Sequence, residues 1–167
     1  LDLPIALPVA IGEYCLAQKD FRGLLDVAEK MSAASEKYQW RALNGFLMLA
    51  RGRALQGLGD AAEAADVFRE THNEMVRQGF DAGLWEIEAE LAGVARGTGD
   101  RVEAARWIRS AAGHVRQVAE GLREHGLAER FLSQPHIQSI VQQAGDFPNE
   151  TTDETVPGTD GSRDRQR

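Results

Sequence analysis

A single cysteine in 167 residues rules out an internal disulfide. Cys15 also falls on a repeating apolar stripe, so it reads as a buried structural thiol, and nothing requires an oxidising compartment. Cations are in deficit: 19 Lys and Arg stand against 26 Asp and Glu, for a formal net charge of −7. A surface that neutralises phosphates needs clustered Lys and Arg, so this balance argues against direct nucleic-acid binding. Long apolar runs are missing too. The opening stretch from Leu1 to Gly12 is apolar, but it has no basic leader, carries Pro4 and Pro8, and is too short to cross a bilayer. No membrane partner is expected. With few prolines, 43% hydrophobic and 27% charged residues, the composition fits one soluble domain with a modest core. The chain also lacks an initiating Met and starts inside its first repeat, which predicts a fragment of a longer cytoplasmic protein with further repeats or domains upstream.

What the sequence does contain is an internal period. Asp20, Asp60 and Asp100 stand 40 residues apart, and their surroundings repeat with them. Gly57, Gly59, Asp60, Glu63, Ala64, Ala65 and Arg69 recur as Gly97, Gly99, Asp100, Glu103, Ala104, Ala105 and Arg109. The first copy is more worn: Gly12 matches Gly52 and Ala92, Leu24 matches Ala64 and Ala104, and Ala28 matches Phe68 and Ile108. A period of this size marks a solenoid, in which each unit leaves an apolar face that only its neighbours cover.

Within each copy the apolar spacing is helical and breaks at the Gly/Asp turn, so each unit reads as a helical hairpin. Gly59 and Gly99 suit the left-handed conformation that ends the first helix, and Asp60 and Asp100 suit the cap of the second. Glu63 and Glu103, three residues on, predict an acidic capping box. The first copy has Lys19 and Gly23 at the corresponding places but keeps the cap at Asp20. Ala64 and Ala104 predict close helix contacts, with Phe68 and Ile108 filling the seam one turn later. A third unit runs from about Ala82 to Leu122, with Trp85, Leu91 and Trp107 facing inward. Weaker helical segments over Leu127–Leu132 and Ile137–Ala144, separated by Pro135, read as an end cap. Residues 146–167, rich in Thr, Asp, Gly, Pro and Arg, read as a disordered tail.

The small residue midway along a first helix, the Gly-centred turn, then Ala and a bulky apolar residue resemble the tetratricopeptide repeat. The places are Gly52, Gly59, Ala64 and Phe68, and again Ala92, Gly99, Ala104 and Ile108. The interval is longer than that family's usual period of about 34 residues. It looks like the long-helix variety of large bacterial signalling proteins, where such repeats accompany signal-transduction ATPases, transcription activators, adenylate cyclases and serine/threonine kinases. The ending is similar as well: a long helix through Ala111, Val115 and Leu122, then the segment from Phe131 to Ile137, and finally Ile140 and Val141. The resemblance implies an all-α fold over residues 1–145: a right-handed superhelical stack of antiparallel helical hairpins, about three repeats plus a C-terminal capping segment.

Candidate chemistry reduces to structure at each place. Gly57-x-Gly59 and Gly97-x-Gly99 lack the third Gly and the Gly-Lys-Ser/Thr of phosphate loops and sit between helices. His72, His114, His125 and His136 show no metal-ligand spacing. Glu86, Glu88 and Glu90 read as a solvated helix face, not as paired acid and base. Trp40, Trp85 and Trp107 belong to apolar stripes, and Ser35 and Ser133 have no base partner in view. No catalytic, metal or cofactor site is expected. The resemblance also implies a concave groove lined by the first helices, at Glu13, Phe46, Leu49, Arg53, Gln56, Glu86, Ala89 and Arg96. That mixture suits a peptide or protein helix. Contact with upstream repeats or domains of the same polypeptide fits these residues equally. The expected function is thus a noncatalytic interaction scaffold. The alternative is a small-molecule sensor, in which Trp85, Phe46 and Arg53 hold a ligand that regulates an upstream domain.

Overall fold

Three junctions 40 residues apart share one set of backbone bonds. Gly59 and Gly99 take φ of 98° and 81°, and Lys19, at the same place in the first copy, takes 56°. At each junction this residue donates its N–H to the carbonyl three residues back, and the following Asp donates to the carbonyl five back: Asp20 to Cys15, Asp60 to Leu55 and Asp100 to Ala95. This is a Schellman ending, which satisfies the last carbonyls of one helix while turning the chain into the next. Lys19 makes it without the freedom of glycine and so stores backbone strain.

The structure, a computed structural model, describes residues 3–38, 40–81 and 83–147. Its helices are α1 (Leu3–Gln18), α2 (Phe21–Lys37), α3 (Arg41–Leu58), α4 (Ala61–Arg77), α5 (Leu84–Gly97), α6 (Arg101–Arg123), α7 (Ala128–Leu132) and α8 (Pro135–Gly145). The described residues contain no strand, and the helices pack chiefly in chain order. The same five-back bond closes the later turns as well: Trp40 to Ser35, Phe80 to Met75 and Leu127 to Leu122.

The caps divide. Asp100 Oδ1 accepts from Glu103 N at 2.9 Å and Asp20 Oδ1 accepts from Gly23 N at 2.9 Å. Asp60 occupies the cap of α4 but its side chain accepts no capping bond; its ψ is 60° where that of Asp100 is 86°. The expected capping box is absent at both later turns. The Asp60 and Asp100 N–H groups are already committed to Leu55 and Ala95, so the glutamates turn elsewhere. Glu63 pairs with Arg51, and Glu103 accepts from the Trp107 indole and from Arg106.

Three apolar clusters lie along the chain, and each joins one two-helix unit to the next helix it meets. Cys15, Leu24 and Ala28 meet Ala50 and Ala54 of α3. Ala64, Phe68 and Met75 meet Leu84, Ile87 and Leu91 of α5. Ala92, Ile108, Ala111 and Val115 meet Ile137, Ile140 and Ala144 of α8. Ala64 and Ala104 are fully buried, as are Phe68 and Ile108. Gly52 has the tightest fit: a Cβ there would lie 2.2 Å from the Phe68 ring. Gly12 is buried under Phe46 of the next unit.

Helix α7 lies within the expected Leu127–Leu132 segment, whereas α8 begins and ends outside the expected Ile137–Ala144. Pro135 does not merely interrupt the chain; it occupies the first turn of α8, where its missing N–H costs nothing. Phe147 packs against the third cluster, so the helical body reaches past Gly145. The tail expected over 146–167 lies outside the described residues from 148 onward.

Two measurements test these contacts. Asp100→Ala and Asp20→Ala each lose a capping acceptor and are expected to cost about 1 kcal/mol, while Asp60→Ala stays within about 0.5 kcal/mol. Equal midpoint shifts in urea for all three would disprove the division. Gly52→Ala forces a methyl into the Phe68 ring and is expected to destabilise by roughly 1–3 kcal/mol, despite the gain in helix propensity. Unchanged thermal unfolding of that variant would mean that α3 and α4 sit further apart.

Candidate functional site

Arg53 projects from α3 between two carboxylates one turn apart on α5. Its Nε donates to Glu90 Oε1 at 2.6 Å and its Nη2 to Glu86 Oε2 at 3.2 Å. Burial works to lower the Arg53 pKa, but Glu90 and then Glu86 outweigh it by charge and hydrogen bonding and hold it above its ordinary value. The guanidinium therefore stays charged across the working pH range, and α3 is pinned to α5 by a fork that is three-quarters buried, with 24% of the Arg53 side chain exposed.

This fork floors a cleft of about 480 Å³ lined from α1, α3, α5 and α8. Of the groove residues expected from sequence, Glu13, Arg53, Glu86 and Ala89 line it together. Trp85 and His136 form one wall, with their rings stacked at 5.5 Å and 22°, and the Phe131 ring meets Trp85 edge-on. Ser139, Ile140 and Gln143, on the same face of α8 as His136, complete the lining. Arg96 is exposed at the margin and donates to Gln143. Phe46 and Leu49 line a separate recess of about 160 Å³. Leu49 is buried in the central cluster at 6% exposure, so it serves the core and not an open groove; Gln56 is half-buried and lines neither cavity.

The reading of Glu86, Glu88 and Glu90 as a solvated face does not hold. Glu86 and Glu90 bind Arg53, and Glu88, on the other side of α5, is 1% exposed. Ser110 Oγ donates to Glu88 Oε1 at 2.7 Å, His114 Nδ1 lies 2.8 Å from Oε2, and His72 Nε2 lies 3.3 Å from Oε1. With protons on those nitrogens both rings donate, so one carboxylate collects three donors from α4 and α6. The Trp107 ring meets His72 edge-on at 5.0 Å, which helps to keep water from that side. Histidines 42 residues apart thus converge through a partner that sequence spacing could not show. The repeat register did carry a signal: Glu88 stands where the other copies have Pro8 and Met48, a polar residue at an apolar place.

Chemically, this cluster is a lock and not a reaction centre. Ser110 and His114 both donate to the same carboxylate, so the serine proton is not directed at a ring nitrogen and no nucleophile is activated. Ser35 and Ser133 likewise give their hydroxyl protons to backbone carbonyls, of Trp40 and Arg130. Among the described residues no group of three or more His, Cys, Asp or Glu side chains is placed so that it could hold a metal ion. Among them there is also no helix long and apolar enough to cross a membrane.

Comparison with known proteins finds no matching family model, no matching curated protein and no matching solved structure.

The buried network predicts an order of stability losses. Glu88→Ala strands three donors in the interior and is expected to cost about 3 kcal/mol; Glu88→Gln retains an acceptor and costs about half as much. Chemical denaturation checks this, and a loss below about 0.5 kcal/mol for Glu88→Ala would mean that the carboxylate is solvated.

Proposed function

We propose that this chain is a noncatalytic interaction scaffold, and that the cleft between α1, α3, α5 and α8 receives a helix or peptide of a protein partner. The observation that carries the reading is the cleft itself. Four successive layers of the chain contribute to it, its floor is held by the Arg53 fork, and its walls combine an aromatic stack with polar side chains. Peptide grooves have this character: apolar anchors for affinity, and a few fixed polar groups for register.

The architecture favoured by the repeated turns is a right-handed superhelical stack of antiparallel helical hairpins of the tetratricopeptide type. The 40-residue recurrence of the Schellman bonds, together with the close approach of Gly52 to Phe68, supports it. In such a stack α1, α3 and α5 line the inner surface and α8 closes the end, which gives the cleft its place. A regulatory role within a larger cytoplasmic bacterial signalling protein, with upstream domains as the partner, extends the same reading. The sensor alternative draws on Trp85 lying flat against His136 at the cleft wall, a surface on which a planar ligand could stack.

Filling the cleft is the test. Ala89 lines it without belonging to the fully buried core, so Ala89→Trp blocks the space with little effect on folding. Helical peptides selected against the wild-type chain are expected to lose at least tenfold in affinity for this variant, about 1.4 kcal/mol. Selected binders that retain full affinity for Ala89→Trp would show that partners dock elsewhere.

A further inference from the structure

The 40-residue register places three different chemistries at one position of the fold. The position lies between the first helix of a unit and the later part of the second. In the third unit it is filled: Glu88 on the first helix meets Ser110 and His114 on the second. In the second unit the corresponding residues are Met48, Glu70 and Glu74, and the space is open, a cavity of about 390 Å³. In the first unit they are Pro8, Lys30 and Ala34, lining an apolar recess of about 370 Å³. Trp40 and Phe80, themselves 40 residues apart, line the recess of the first unit and the cavity of the second.

Polarity is exchanged between the second and third units. The third places its carboxylate on the first helix and its nitrogen and hydroxyl donors on the second; the second unit places two carboxylates on the second helix and a thioether opposite. Among the described residues no side chain from another helix donates to Glu70 or Glu74 as His114 does to Glu88. Glu74 is engaged by Arg77 and Gln78 on its own helix, whereas Glu70 has no ion-pair partner among the described residues. Met48, Met75, Trp40 and Phe80 give the cavity an apolar and aromatic lining, which favours a cation near ring faces as well as an apolar body. Its volume falls in the range of small-molecule sites.

We propose that this cavity binds an organic cation, an ammonium or guanidinium on an apolar body, with the charged nitrogen donating to Glu70 and the body lying against Trp40 and Met48. The site is separate from the cleft around Arg53 and does not rest on the scaffold reading. The same chemistry could arrive as a free amine or as a lysine side chain of a protein, and the test distinguishes the two.

The assigned indole N–H resonance of Trp40 is followed while the full chain is titrated with phenethylamine, phenethyl alcohol or N-acetyl-lysine amide. Phenethylamine is expected to shift it saturably and to bind more tightly than the neutral alcohol. Glu70→Gln, at an exposed residue, is expected to weaken the amine roughly tenfold, the loss of one charge-assisted hydrogen bond. Glu70→Lys, which places the cation of the first unit here, is expected to abolish binding. A Glu70-dependent response to the lysine amide alone would assign the site to a protein side chain and leave its chemistry intact. No saturable shift with either amine at millimolar concentration would overturn the proposal. Equal affinity for amine and alcohol, or an amine affinity unchanged in Glu70→Gln, would do the same.

Discussion

The apolar faces of α2, α4 and α6 are each covered by a helix that follows in the chain, and the rest of the molecule depends on this coverage. Leu24 and Ala28 of α2 are closed by α3, Phe68 and Met75 of α4 by α5, and Ile108 and Val115 of α6 by α8. Coverage in turn demands repetition of direction. The left-handed residue at Lys19, Gly59 and Gly99, with its bonds three and five residues back, ends the helix and turns the chain with the same hydrogen bonds at each junction. A junction that turned differently would leave one cluster open to water.

Much of this was legible because it is written in short-range chemistry. The glycines at 59 and 99, the aspartates at 20 and 100 and the alanines at 64 and 104 each answer to a local requirement: positive φ, a cap acceptor, a close approach. The register follows from their spacing. What was less legible depends on competition between partners. A capping box needs a free N–H, and the Schellman bond had already taken it, so Glu63 and Glu103 went to Arg51 and Trp107. Asp60 shares the sequence context of Asp100 yet makes no cap, and the difference lies in ψ, a quantity the residue types do not carry.

The carboxylates of α5 show the same limit more sharply. Glu86, Glu88 and Glu90 alternate in sequence, and alternation on a helix sends neighbours to different sides. Two meet Arg53 from α3 and the third is buried against α4 and α6. Reading them as one solvated face followed from composition, whereas their fates follow from angle. The repeat supplies the correction, since comparing position 88 with positions 8 and 48 shows a charge among apolar residues. Internal repeats therefore act as a small alignment carried within one chain, and a departure from their pattern marks a place where packing or function differs.

The two polar centres differ in how fully they are closed. A buried charge is tolerated when it is well hydrogen-bonded, and Glu88 meets three polar side chains from α4 and α6, which ties α5 to both. Arg53 is met on one side only. Its fork to Glu86 and Glu90 leaves 24% of the Arg53 side chain and 32% and 23% of the two glutamate side chains exposed where the three line the cleft. Rigid placement of such half-satisfied groups lowers the ordering cost of binding, because the protein side has already lost its rotamer freedom on folding. Glu88 ties α5 to α4 and α6 through a buried network, and Arg53 ties α3 to α5 beside the cleft, so the two centres together fix the spacing of four helices.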